Sequence, residues 1–230
     1  MLLREIEMDL PYVPDTNKEQ TVEDTRRDYE LNWKKKRRQF QLMTRCITSM
    51  IERIIPRITT KDCRKILIEC MEKPSREGYI NLLGVYAIQI PFDINLFWEM
   101  ESLTKKKYVV NKIREALKTI AGCISFSVEE IENACDKIED SNYVNEWYWG
   151  KPKKNKKIAV RVKVSHEVES VSIYLVFEDL INKVYKEKFL LSDLPDEWVY
   201  TKYLGKLELI SDVTARLTTK TGEYFIATYE

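Results

Sequence analysis

The chain has 230 residues, 44% hydrophobic and 33% charged, with only 6 Gly and 7 Pro. That is enough for one large or two small domains with a real core, and it excludes a low-complexity linker or a long disordered tail. Lys+Arg 38 against Asp+Glu 37 leave a net charge of +1, so no global field draws the chain to nucleic acid or to an acidic membrane.

Five cysteines, Cys46, Cys63, Cys70, Cys123 and Cys135, form no C-x-x-C pair, and four of them sit in helix-like apolar patterns. They read as reduced, buried thiols of a cytoplasmic protein. Met1 to Asp9 carries acids and lacks a long apolar run, so no signal peptide is expected. No stretch approaches the roughly 18–20 apolar residues of a membrane span, and no membrane partner is expected.

Weak alternation from Leu2 to Tyr12 predicts a short strand ending at Pro11–Pro14, followed by a polar loop over Asp15–Gln20. Thr21 with Asp24 forms a capping box that opens a long helix, stopped by Pro56. Trp33, Phe40, Ile47 and Ile54 recur every seventh residue, and Tyr29, Met43 and Met50 fall on a second such row. This seam, on a helix on the order of 50 Å long, is either covered by neighbouring helices of the same domain or shared with a partner, a second copy included. Thr59 and Asp62 predict a cap for a second helix with Cys63, Ile66, Leu67, Cys70 and Met71 inward, ended by Pro74. Tyr79 to Phe92 is ambiguous between helix and strand. Val85 to Ile90 fits a buried strand lying beside the N-terminal one. Helices are expected over Asp93–Met100, over Lys105–Ala121 with Gly122 at its end, and after the Ser127/Glu130 capping box.

The helical pattern ends at a junction, Asn142 to Lys157, which holds Tyr143, Trp147, Tyr148 and Trp149 and then a run of lysines. Beyond it the period drops to two. Ile158, Val160, Val162 and Val164, then Val171, Ile173, Leu175 and Phe177, alternate with polar residues. Pairing Ser165 with Ser170 places Val164 opposite Val171, Val162 opposite Ile173, Val160 opposite Leu175 and Ile158 opposite Phe177, with His166 in an exposed turn. Val184–Leu191 and Lys206–Asp212 predict further strands, separated by a loop over Asp193–Trp198. Val213–Thr218 and Glu223–Tyr229 predict a second hairpin, with Gly222 supplying its positive φ. The fold class is α+β: a mainly helical region with a small strand pair (residues 1–145), packed on an antiparallel sheet of about five strands (146–230).

Chemistry-bearing patterns are sparse. His166 is the one histidine, and the Gly-rich phosphate loops are absent, so no catalytic residue, metal ligand or cofactor is assigned. A metal-dependent enzyme such as a nuclease would have to draw on Glu187–Lys188 and Glu208. Two basic clusters stand out: Lys34, Lys35, Arg37 and Arg38 within the long helix, and Lys151, Lys153, Lys154 and Lys156 after the aromatic run. Lysines beside flat rings suit nucleic acid, whose phosphates they neutralise while the rings stack on bases. Solvated helix and strand faces account for the same residues without a ligand.

Charged surface and aromatic residues without a reaction centre point first to a non-catalytic, cytoplasmic protein-binding module. Its concrete form would be a toxin-neutralising immunity protein or a phage- or defence-associated inhibitor, with Trp147, Tyr148, Trp149 and Trp198 as contact residues. Low Gly and abundant Lys, Ile, Glu and Tyr are the composition of an AT-rich bacterial or phage gene. Nucleic-acid binding through the two basic clusters is the alternative.

Overall fold

The computed structural model describes residues 1–14, 21–121 and 127–229. The expected Asp15–Gln20 loop, Gly122 and Cys123 lie outside them. Two compact units divide the chain, Met1–Val144 and Asn145–Glu230. The class is α+β: a mixed sheet with a long helix, then a four-stranded and a three-stranded antiparallel sheet.

In the first unit, β1 (Glu5–Asp9) leads through α1 (Val22–Asp28), a π-helical turn (Tyr29–Trp33) and α2 (Lys34–Ile54) to β2 (Lys65–Met71). β3 (Tyr79–Leu82), β4 (Val85–Pro91), α3 (Ile94–Glu99), α4 (Ser102–Ile120) and α5 (Glu129–Asp140) follow. The sheet order is β1-β2-β4-β3, with β1, β2 and β4 parallel and β3 antiparallel to β4. Thr21 caps α1 by the reciprocal bonds its sequence predicts. The seam on α2 is filled by the unit's own core: Phe40, Ile47 and Met50 are buried, and Trp33, Met43 and Ile54 pack against the same cluster. Arg45 Nη1 and Nη2 hold Glu52 (2.8 and 2.7 Å), and Glu52 Oε1 accepts the Ile6 N–H of β1 at 2.9 Å, so α2 closes the free edge of that strand.

The expected helix after Thr59 is instead strand β2. Ile66, Ile68 and Cys70 are buried while Lys65, Leu67, Glu69 and Met71 are half-exposed. Positions 63, 66, 67, 70 and 71 mimic helical spacing because Leu67 and Met71 add apolar residues on the outer face. Two parallel neighbours decide for the strand. β4 therefore lies beside β2 and not beside β1. A four-stranded sheet replaces the small strand pair, although helical residues still outnumber strand residues in the unit. At α5 the Ser127 Oγ accepts only the Glu129 N–H, and Val128 occupies the cap position, so the predicted box does not form.

The second unit holds β5 (Glu146–Lys154), β6 (Ile158–His166), β7 (Val171–Asp179) and β8 (Tyr185–Asp193) in the order β5-β6-β7-β8. A short helix α6 (Glu197–Tyr200) leads to β9 (Lys206–Leu209), β10 (Thr214–Thr218) and β11 (Tyr224–Thr228), in the order β11-β10-β9. Among the described residues the unit thus has seven strands in two sheets, against the five expected in one. The Trp-rich junction is itself the edge strand β5. Ile158, Val160, Val162, Val164, Val171, Ile173, Leu175 and Phe177 from one sheet share a core with Leu207, Ala215 and Leu217 from the other.

The β6–β7 pairing differs from the expected one by two residues: Val164 faces Ile173, Val162 faces Leu175 and Val160 faces Phe177. Each apolar set still points inward, because a shift of two preserves the face. The turn decides between the two registers. Glu167 N–H donates to the Ser170 carbonyl at 2.8 Å, and His166 pairs with Val171. His166 is therefore a buried strand residue with 0% exposure, and not part of an exposed turn. Gly222 has φ +95° at the β10–β11 turn.

Candidate functional site

The run Glu146-Trp147-Tyr148-Trp149 lies on β5, where period two divides it. Trp147 sits opposite Val164 and Trp149 opposite Val162, and both indoles pack on the core. The Trp147 ring lies 6.3 Å from His166 and 6.4 Å from Tyr200, and the His166 and Tyr200 rings are 5.9 Å apart. Both tryptophans are partly buried against that core. Tyr148 points the other way and is 50% exposed, while Trp198 on α6 is 94% exposed. The four predicted contact residues thus split into two partly buried side chains and two exposed ones.

Tyr148 belongs to a larger surface, the outer face of the four-stranded sheet. Register places Tyr148 beside Lys163, Lys163 beside Tyr174 and Tyr174 beside Phe189. Arg161 stands 5.3 Å over the Tyr148 ring, Lys163 Nζ 4.9 Å over Tyr174, and Tyr174 and Phe189 meet edge to face at 5.6 Å. Tyr185, 61% exposed, and Phe189, 59% exposed, continue the face along β8. Lys163 donates to both oxygens of Glu187 (2.7 and 2.6 Å) and lies 3.6 Å from Glu146. Burial pulls the Lys163 pKa down, and the bond to Glu187 with the charges of both glutamates reverses this, leaving it raised. The hydroxyl of Tyr185 is held protonated by its bond to Glu178 and by that carboxylate's charge. Tyr174, Tyr185 and Phe189 were missed in the sequence. Their signal was available: three rings on the solvent phase of alternating strands.

The basic clusters also separate. Arg37 forks onto Asp9, Nε to Oδ1 and Nη2 to Oδ2 at 2.7 Å each. Lys34 donates to Glu30 at 2.7 Å and Lys36 lies 5.8 Å from the Trp33 ring centre, while Lys35 and Arg38 are exposed. Those residues form no single surface. Lys151, Lys153, Lys154 and Lys156 are all exposed around a bulge between Trp149 and Lys153, and no carboxylate among the described residues meets them. Their neighbour Lys157 is paired with Asp212 at 3.0 Å.

Cys46, Cys63, Cys70 and Cys135 are free and buried. Burial pushes the Cys63 thiol up to about 11 and that of Cys135 up to about 12, so both stay protonated at neutral pH. No three of His, Cys, Asp and Glu come together as metal ligands among the described residues. Glu187 is held by Lys163, and Glu208 by Lys206 and Arg216 at 2.7 and 3.1 Å, so the two do not converge. Two cavities of about 430 and 390 Å³ adjoin the C-terminal ends of the parallel strands, sharing Glu72, Phe92 and Ile94. No helix among the described residues is long and apolar enough to cross a membrane.

What the fold and this surface define is an α+β chain with an aromatic, cation-flanked sheet face. Comparison with protein-family models, with curated proteins and with solved structures gives no match.

Proposed function

We propose that the chain is a non-catalytic, cytoplasmic protein-binding module, of the toxin-neutralising or defence-inhibitor kind, which meets its partner through the outer face of β5–β8. The observation that carries this reading is the exposure of Tyr148, Tyr185 and Phe189 on one sheet face, with Arg161 stacked beside them. Aromatic and arginine side chains dominate interface energetics, and a folded sheet presents them already ordered. The charge pairs among them, Lys163 with Glu146 and Glu187, set orientation more than affinity. Trp198 is a further contact on α6.

The test compares affinity captures from the native host with the wild-type chain and with Tyr148→Ala/Tyr185→Ala/Phe189→Ala as bait. A protein recovered at least about tenfold less by the variant supports the reading, since each hot-spot truncation costs about 2 kcal/mol. Identical recoveries with both baits overturn it.

The four unpaired lysines of the β5–β6 hairpin favour a second reading, nucleic-acid binding beside Tyr148. It requires affinity for a single strand that falls with salt, with a slope reduced by about 0.7 for each phosphate-contacting lysine changed to Gln. No binding at low salt removes it.

A further inference from the structure

Arg4 and Arg64 stand at the start of neighbouring parallel strands. The Arg4 N–H donates to the Arg64 carbonyl at 2.9 Å, one residue before the paired Glu5 and Lys65. Both side chains are exposed, and neither meets a carboxylate among the described residues. Among the unit's other arginines, Arg37 holds Asp9, Arg45 holds Glu52, Arg76 holds Glu69 and Arg114 holds Asp136 and Glu139, while Arg26 and Arg57 are exposed and meet no carboxylate among the described residues. Even Lys65, next in the chain, is neutralised by Glu5 at 3.3 Å and by Glu7. Two like charges side by side on paired strands repel each other, and the carboxylate nearest in the chain, Glu5, is engaged by Lys65.

The two arginines line one groove of about 710 Å³, whose other walls include the ion pair Glu5–Lys65 and the apolar Leu2, Leu67 and Val85, so the groove keeps a net positive charge. Val85 pairs with Leu82, which is 53% exposed, and the intervening turn holds Leu83 at φ +53° and 95% exposed. Asn or Gly ordinarily fills that turn position, because a leucine is strained there. Leu2, Leu67 and Val85 with two exposed guanidiniums give an apolar surface with an anion-binding edge.

We infer that this groove docks an acidic, partly apolar peptide segment of a partner protein. The guanidiniums of Arg4 and Arg64 take its carboxylates through paired N–H···O bonds, and Leu2, Leu67 and Val85 take its aliphatic side chains. The aliphatic walls select a peptide over a polynucleotide, which offers bases and sugars but no aliphatic side chains. The site belongs to the first unit and shares no residue with the sheet face of the second, so the two readings stand or fall separately.

The experiment measures fluorescence anisotropy of the full chain with a short labelled peptide in which Glu alternates with Leu. A Lys-for-Glu peptide, a labelled oligothymidylate and phosphatidylserine vesicles serve as competitors. Saturable binding of the acidic peptide is expected, weakened at least about tenfold by Arg4→Ala/Arg64→Ala, partly kept by Arg4→Lys/Arg64→Lys, and unchanged by Tyr148→Ala. Because Arg64→Gln removes a repulsion, its Tm is expected to stay level or rise by about 1–2 °C. Failure of the acidic peptide to bind, indifference to the arginine changes, or preference for the oligonucleotide or the vesicles overturns the proposal. So does a Tm loss of several degrees in Arg64→Gln, which would make the arginine a structural residue.

Discussion

The two units build their sheets by opposite rules. In the second, each neighbour in the order β5-β6-β7-β8 is also the next strand in the chain, joined by a short turn. In the first, β2 lies between β1 and β4, both parallel to it, with α1 and α2 intervening before it and β3 after it. Antiparallel strands with one wet face alternate cleanly. A strand flanked by parallel neighbours carries apolar residues on both faces and loses that signature. A distant pairing thus leaves less trace in the local sequence than a hairpin does.

The strongest way to break the contrast is to damage one core and watch the other. Phe40 meets Phe92 at 5.3 Å and Phe97 at 5.5 Å with 0% exposure. Phe40→Ala is expected to cost about 3–5 kcal/mol, with faster hydrogen exchange in β2 and β4 and unchanged exchange in β6 and β7. Equal acceleration in both units would show that they unfold together.

Next in size is Arg37→Ala, which leaves Asp9, with its side chain 6% exposed, to Gln41 alone among these partners. A loss of about 2 kcal/mol in denaturant melts is expected, below the full cost of a broken buried pair because Arg37 is partly exposed. No change in the midpoint would mean that water replaces the guanidinium freely.

A pH effect sharpens the same contrast. Every cysteine lies in the first unit, and burial holds the Cys63 and Cys135 thiols near 11 and 12, above the ordinary 9.0. Their raised folded pKa values give stability that is fully present below pH 9. As pH rises through the window from about 9 to 12 the unfolded thiols ionise first, and on the order of 3 kcal/mol per thiol is lost. Alkaline melts followed by exchange are expected to weaken β2 and α5 before β6 and β7, and Cys63→Ala to flatten part of the slope. A slope that is the same in both units contradicts the assignment to the thiols.

The smallest expected effect is that of Trp198→Ala. At 94% exposure the indole packs on little, so stability is expected to change by less than about 0.5 kcal/mol. A larger drop in Tm would place the ring in a contact.

Runs of residues sufficed for local facts about this molecule. The Thr21/Asp24 cap, the stop of α2 before Pro56, the inward sets of β6 and β7, and the glycine turn at Gly222 all depend on near neighbours along the chain. They hold because periodicity and capping are set by backbone geometry over a few residues. Folding in three dimensions settled the remainder. It made β2 a strand, moved the β6–β7 register by two, buried His166 against Trp147 and Tyr200, and turned Trp147 and Trp149 inward while leaving Tyr148 out. It also put Tyr174, Tyr185 and Phe189 on one face and brought Arg4 and Arg64 together in one groove, neither of them ion-paired. Alternation records which side of an element meets a core. Which element lies across from it is fixed only when distant segments compete for the same buried surface.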